Sequence, residues 1–162
     1  MTALRAITAM ACVLAVASLC AQDPPEQPLP YSHKTHVAKG LKCVDCHVNP
    51  EPGDKMMFPA TAKCMACHAT IANEKPAIRK LAAFAQTKEP IPWARVYAVA
   101  AGVYWSHRSH LEAGMKCEQC HGDVAGMEQM ARVTNVTTMA GCVTCHKQYR
   151  AGIGCEFCHE GK

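Results

Sequence analysis

Ten cysteines of this chain fall into five pairs of the form C-x-x-C: Cys43/Cys46, Cys64/Cys67, Cys117/Cys120, Cys142/Cys145 and Cys155/Cys158. A histidine follows each pair at once, giving His47, His68, His121, His146 and His159. Two thiols three residues apart reach the two vinyl groups of a porphyrin, and the next side chain swings beneath the iron as its proximal ligand. Covalent haem c, five per chain, is therefore the chemistry that this spacing supports. Zinc ribbons also use C-x-x-C, but a four-thiolate site has no use for a histidine after every second cysteine. Disulfides within C-x-x-C are strained and leave the histidines unexplained. A thioredoxin-like redox site would be single and set between a strand and a helix.

The elements that position these motifs repeat. Residues 31–47, YSHKTHVAKGLKCVDCH, align without a gap on residues 105–121, WSHRSHLEAGMKCEQCH, eight of seventeen positions being identical at an offset of 74. Each copy is followed by a second motif, at Cys64 and at Cys142, while the motif at Cys155 has no counterpart in the first unit. The expected organisation is a first dihaem module over 31–104, with a linker helix, and a second over 105–162 that adds the fifth haem. The expected fold is mostly α with little regular secondary structure, its core formed by the haems themselves. Only 6% of residues are aromatic, too few to build that core from side chains.

The four remaining histidines, His33, His36, His107 and His110, lie in the repeat as two H-x-x-H pairs. Histidines three apart on a helix share a face with Cα atoms about 5 Å apart. They cannot both bind the same side of one haem, so each pair serves two irons as distal ligands. Five irons need ten axial positions, and nine histidines fill nine of them. Counting by unit leaves the haem at Cys155/Cys158/His159 without a second histidine. Met127, Met130 and Met139 are the candidate sixth ligands, ahead of Met56 and Met57. A methionine there would raise the potential of that haem above its neighbours, whereas an open position would permit small-molecule reduction.

H-x-x-H followed by C-x-x-C-H resembles the class III multihaem cytochromes c, small periplasmic proteins with bis-histidine haems. That resemblance implies that His33 serves the haem at Cys43/Cys46 and His107 that at Cys117/Cys120, with His36 and His110 reaching neighbouring haems. A second likeness runs through Glu89–Tyr97, Val103–His107, Gly122–Met130 and Met139. It is similar to the pentahaem cytochrome subunit of alternative complex III and to related quinone-linked subunits, and it covers most of the chain from Tyr31 to His146. The ending, in which Lys147-Gln148-Tyr149-Arg150 leads into a last motif, departs from that pattern. This likeness implies electron relay in a respiratory chain beside a quinol-oxidising membrane complex.

Upstream, Arg5 and the apolar run from Ala6 to Leu19 read as a secretory signal peptide over 1–21. The run is too short for a comfortable membrane span, so the expected location is the periplasm. Membrane association would come through partner subunits or a retained N-terminal segment. Residues 22–30 carry four prolines and read as an extended, solvated spacer. Residues 73–88 read as the linker helix, with Asn73 as cap and Ile78, Leu81, Ala82 and Ala85 on one face. The run from Val96 to Trp105 reads as extended chain. Trp93, just before it, and Tyr97, Tyr104 and Trp105 within it read as haem-packing aromatics.

With Arg5 removed, 16 Lys and Arg face 13 Asp and Glu. Ten propionates would outweigh that excess, so the cations suit propionates and redox protein partners, and no nucleic acid is expected. So little polypeptide per haem leaves scant material for a substrate pocket, which favours an electron carrier over an enzyme.

Overall fold

The computed structural model describes residues 24–159, so the expected signal peptide, with Cys12 and Cys20, lies outside the described residues. In chain order the helices are α1 (His33–Val37), α2 (Cys43–Cys46), α3 (Thr61–His68), α4 (Pro76–Thr87), α5 (His107–Glu112), α6 (Cys117–His121), α7 (Met139–Gln148) and α8 (Cys155–Cys158). A short 3₁₀ turn covers Val124–Gly126. No strand occurs among the described residues, and an isolated antiparallel bridge joins Val103 to His159. The expectation of a mostly helical chain with little regular structure holds.

Polar caps explain where these short helices begin. The Ser32 hydroxyl accepts the Thr35 N–H at 3.0 Å and starts α1. Thr138 does the same for α7 by accepting the Gly141 N–H at 3.1 Å. The single turn α2 is tied by Asp45, whose carboxylate accepts the Lys42 N–H at 2.7 Å. Its repeat counterpart α6 substitutes Gln119, which accepts the Lys116 N–H at 2.6 Å. Every cysteine pair thus sits on helical backbone, which sends the two thiols of a pair to the same side.

The linker helix is real but starts later than Asn73. Pro76 occupies its first turn, where a missing N–H costs nothing. Ala72, with φ of 56°, keeps the preceding residues in a turn. At its other end Lys88 takes the left-handed conformation that stops it. Its apolar face lies on α3, and Leu81 is buried. The run from Val96 to Trp105 is non-helical, as its Gly102 implies. Within it, the Tyr104 N–H donates to the Cys158 carbonyl at 2.8 Å, so this segment holds the last motif in place.

The proline-rich spacer is packed on the body through Leu29 and Gln27 while Glu26 and Pro30 stay exposed, which corrects the wholly solvated reading for 24–30, its described part. Leu29 is buried with Leu81 and Ile91, and Cys64, Met65, Ile78, Phe84 and Trp93 pack around the three. The Gln27 side-chain amide donates to the Ala94 carbonyl at 2.9 Å and accepts the Ala94 N–H at 3.0 Å. Proline excludes helix and holds the segment extended. That extension lets one leucine and one glutamine reach the body with little further entropy loss. The cluster is small enough that Leu29→Ala should cost about 2–3 kcal/mol. The expected result is a lower Tm with the haem complement unchanged, read by thermal melting and haem absorbance.

These three residues are the whole buried hydrophobic set among the described residues, against thirteen large apolar side chains left exposed. Several of the exposed ones belong to the attachment motifs or border them, such as Val44, Phe157 and Met139. Polypeptide alone does not supply the core, which is the arrangement expected if a large flat apolar group covers them. No helix among the described residues is long and apolar enough to cross a membrane.

Candidate metal centres

Eight of the nine histidines meet in four facing pairs. His33 lies opposite His47 with ring centroids 6.4 Å apart, and His107 opposite His121 at 6.4 Å, the planes within 15° and 8° of parallel. His36 faces His68 at 6.1 Å and His110 faces His146 at 6.1 Å, at 64° and 41°. Two imidazoles bound through Nε2 to opposite sides of one metal, at about 2.0 Å per bond, put their centroids about 6 Å apart. The four gaps have the width for one metal ion each. Each pair takes one ring from an H-x-x-H helix and one from an attachment motif, and α1 and α5 each contribute rings to two pairs. Among the described residues no three groups of the His, Cys, Asp or Glu type converge as a closed metal cage.

Ring orientation is fixed from behind. Nδ1 of His36 lies 2.7 Å from the Ser32 carbonyl and Nδ1 of His110 2.8 Å from that of Ser106. The same nitrogen of His47 meets Met57 O at 3.0 Å, that of His68 meets Ile71 O at 3.0 Å, that of His107 meets Asp54 O at 2.9 Å and that of His146 meets Gly152 O at 2.6 Å. A carbonyl can only accept, so Nδ1 carries the proton and Nε2 presents its lone pair to a metal. His33 and His121 bury Nδ1 without a partner. Burial, then neighbouring histidines, lowers both of their pKa values and keeps these rings neutral, as ligation requires.

Aromatic rings wedge each H-x-x-H pair at equivalent repeat positions. Tyr31 stacks on His36 at 4.4 Å and meets His33 edge-on at 4.9 Å. Trp105 does likewise for His110 at 4.3 Å and His107 at 5.2 Å. The Tyr31 hydroxyl is pushed up to about 12, by burial first and then by the Cys46 and Cys64 thiols, so it stays protonated. Tyr97 packs edge-on against His121 at 4.9 Å, and its hydroxyl accepts the Val133 N–H at 2.9 Å. Trp93 lies instead against Tyr31 and Phe58.

Neighbouring thiols mark which motifs adjoin. Cys117 is raised by burial and then by Cys43, with which it is in hydrogen-bond contact. Burial followed by Cys46 raises Cys64. Cys120 is raised by burial and by Cys145 and Cys142, and Cys142 by burial and Cys158. None of the ten motif cysteines is paired in a disulfide.

The ninth histidine, His159, stands apart from these pairs at the bridge to Val103. The methionines divide by location. The Met127 carbonyl accepts the Lys34 N–H at 2.9 Å, beside α1. Met130 follows it in the same loop. Met139 starts α7 one turn before Cys142 and is 71% exposed. Sequence spacing identified the paired histidines but not their carbonyl acceptors. Only Ser32 and Ser106, each four residues before a histidine at repeat-equivalent positions, left a signal.

With this geometry in place, the chain can be set beside known families. Residues 35–93 match the family model for cytochrome c3. The match covers a little over a third of the 162 residues and takes in the motifs at Cys43 and Cys64 with the facing pair His36 and His68, while His33, which faces His47, lies just before it. It supports a multihaem cytochrome c, and with it electron transfer rather than enzymatic turnover. No curated protein matches the chain. The first unit is therefore similar to cytochrome c3 by family model, and the second is tied to the first by the internal repeat.

Proposed function

We propose that this chain is a periplasmic pentahaem cytochrome c that relays electrons in a respiratory chain, exchanging them with a quinol-oxidising membrane complex or a soluble redox protein. The observation that carries the haem reading is the set of four facing histidine pairs, each joined to a C-x-x-C motif. When bound, haem supplies the one-electron ferric/ferrous couple. The chain's own part is to hold two neutral imidazoles on opposite sides of each of four irons, their Nδ1 protons in most cases anchored on backbone carbonyls. It also walls the sites with Tyr31, Trp105, Tyr97 and exposed apolar side chains, which limits water access and so sets potential. Rigid anchoring suits electron transfer, because little has to move when an iron changes charge.

Five haems per chain are expected by pyridine haemochrome assay with protein mass, four of them low-spin with two nitrogen ligands. A count below five, or ligation by single histidines throughout, would sink the reading. His159, without a facing histidine, favours one second reading, a small reductase using the fifth haem. A high-spin fraction near one fifth that shifts with nitrite or sulfite and turns it over would establish that reading instead.

A further inference from the structure

This inference rests on the haem reading above. The 74-residue offset of the sequence repeat is obeyed by contacts between the two units. Lys34 N–H donates to the Met127 carbonyl at 2.9 Å, and Arg108 N–H donates to the Gly53 carbonyl at 3.1 Å. Adding 74 to Lys34 gives Arg108, and adding 74 to Gly53 gives Met127. Each bond is the other's image. Ion pairs join the same helices and loops without being exact images, Lys34 with Glu128 at 3.4 Å and Arg108 with Glu51 at 2.7 Å, each helix cation reaching an acid of the opposite loop. Reciprocal contact, in which i meets j of the partner while j meets i, characterises a two-fold arrangement. On such an axis a residue meets its own image. Cys43 and Cys117 are images whose thiols adjoin, and Nδ1 of His107, at the third site, lies 2.9 Å from the Asp54 carbonyl in the loop that follows the first motif.

We propose that an internal two-fold axis relates the two units and passes between the first and third attachment motifs, so that the five haem sites form one unbranched row in the order second, first, third, fourth, fifth. Within the first unit α1 joins the second and first sites, since His36 and His33 face His68 and His47. Within the second unit α5 joins the third and fourth through His107 and His110. Phe157, inside the last motif, lies 6.0 Å from the His146 ring and fixes the fifth site beside the fourth. Symmetry makes the first four of the row a palindrome. The fifth site lengthens one end only, so the row has two unlike ends. Electrons pass between units at the first–third junction alone, one iron being oxidised as its neighbour is reduced, with no atom transferred.

A crystal structure of the five-haem protein tests the order through iron–iron separations. The shortest separation between units should join the first and third haems, and the fifth should lie nearest the fourth. A shortest inter-unit separation through the second or fourth haem, or a fifth haem nearest any other, overturns the proposal. A chain with fewer than five haems overturns the reading beneath it instead. A second experiment uses His33→Met, which raises the potential of the first haem and makes it a trap. With a ruthenium photoreductant on the cysteine of a K80C substitution, beside the second site, electron arrival at the third to fifth haems should slow by about tenfold or more. Arrival at the unsubstituted rate reveals a parallel route and overturns the single row.

Discussion

In the proposed five-haem protein, His36→Ala should convert one haem in five from low spin to high spin while leaving all five attached. The His36 ring faces His68 at 6.1 Å, its Nδ1 is anchored on the Ser32 carbonyl at 2.7 Å, and Tyr31 covers its other side at 4.4 Å. No other histidine approaches His68 closely, so losing this imidazole leaves a single strong axial ligand on that iron. Attachment depends on Cys64 and Cys67, which the substitution does not touch. Helix α1 also survives, because its cap is Ser32 and not His36. The readout is electron paramagnetic resonance of the ferric protein, where a high-spin signal near one fifth of total haem is expected, together with cyanide binding at that one site. An unchanged low-spin spectrum would remove His36 from the ligand set. His110→Ala should behave alike, since Trp105 and Ser106 repeat the roles of Tyr31 and Ser32. A difference between the two would measure how far the fifth site perturbs the fourth.

The sequence made part of this arrangement readable because haem attachment is a local code. C-x-x-C-H needs one helical turn and nothing distant, and H-x-x-H needs only another. Which ring faces which is a long-range fact. The resemblance to class III cytochromes implied that His33 and His107 serve the haem just downstream, and the facing pairs have that arrangement. Only the coordinates placed His36 against His68 and His110 against His146. The spacer shows the opposite case. Its prolines announced extended chain correctly, but composition says nothing about where an extended chain lies, and the buried Leu29 and the paired Gln27 amide depend on Leu81, Ile91 and Ala94 far along the sequence. Helix α4 was legible in type and misplaced at its start, because a proline in the first turn fixes that boundary more firmly than an asparagine three residues earlier can. The two-fold relation was half legible. The 74-residue repeat was plain, but a repeat can stack head to tail or face to face, and only the mirrored Lys34–Met127 and Arg108–Gly53 bonds select the second.

Removing attachment thiols should hurt very unequally at the two kinds of site. Cys155→Ala with Cys158→Ala should lose one haem and keep four, with a modest fall in Tm. Helix α8 is a single turn held by the Val103–His159 bridge, the Tyr104 N–H bond to the Cys158 carbonyl and the Phe157–His146 contact. Of the first unit only its last two residues, Val103 and Tyr104, touch it, far from the motifs at Cys43 and Cys64. The pair Cys43→Ala and Cys46→Ala strikes the opposite kind of place. Cys43 touches Cys117 of the other unit, and the loop after His47 carries the Gly53 carbonyl that anchors α5. Gly53 itself adopts a φ of 100°, and a Cβ there would come within 2.7 Å of the Arg108 side chain, so the loop has one tight seat against α5. Without the first haem, His33 and His47 lose their common partner and both halves of the junction lose apolar cover, in a chain whose own side-chain core is three residues. The expected outcome is a loss of more than one haem per chain and a Tm fall of at least about 10 °C, more than twice that of the terminal pair. Haem-to-protein ratio and thermal melting check both variants side by side. If the first-site variant keeps four haems and melts with the terminal one, the haem row contributes conduction alone, and the polypeptide holds the two units together without it.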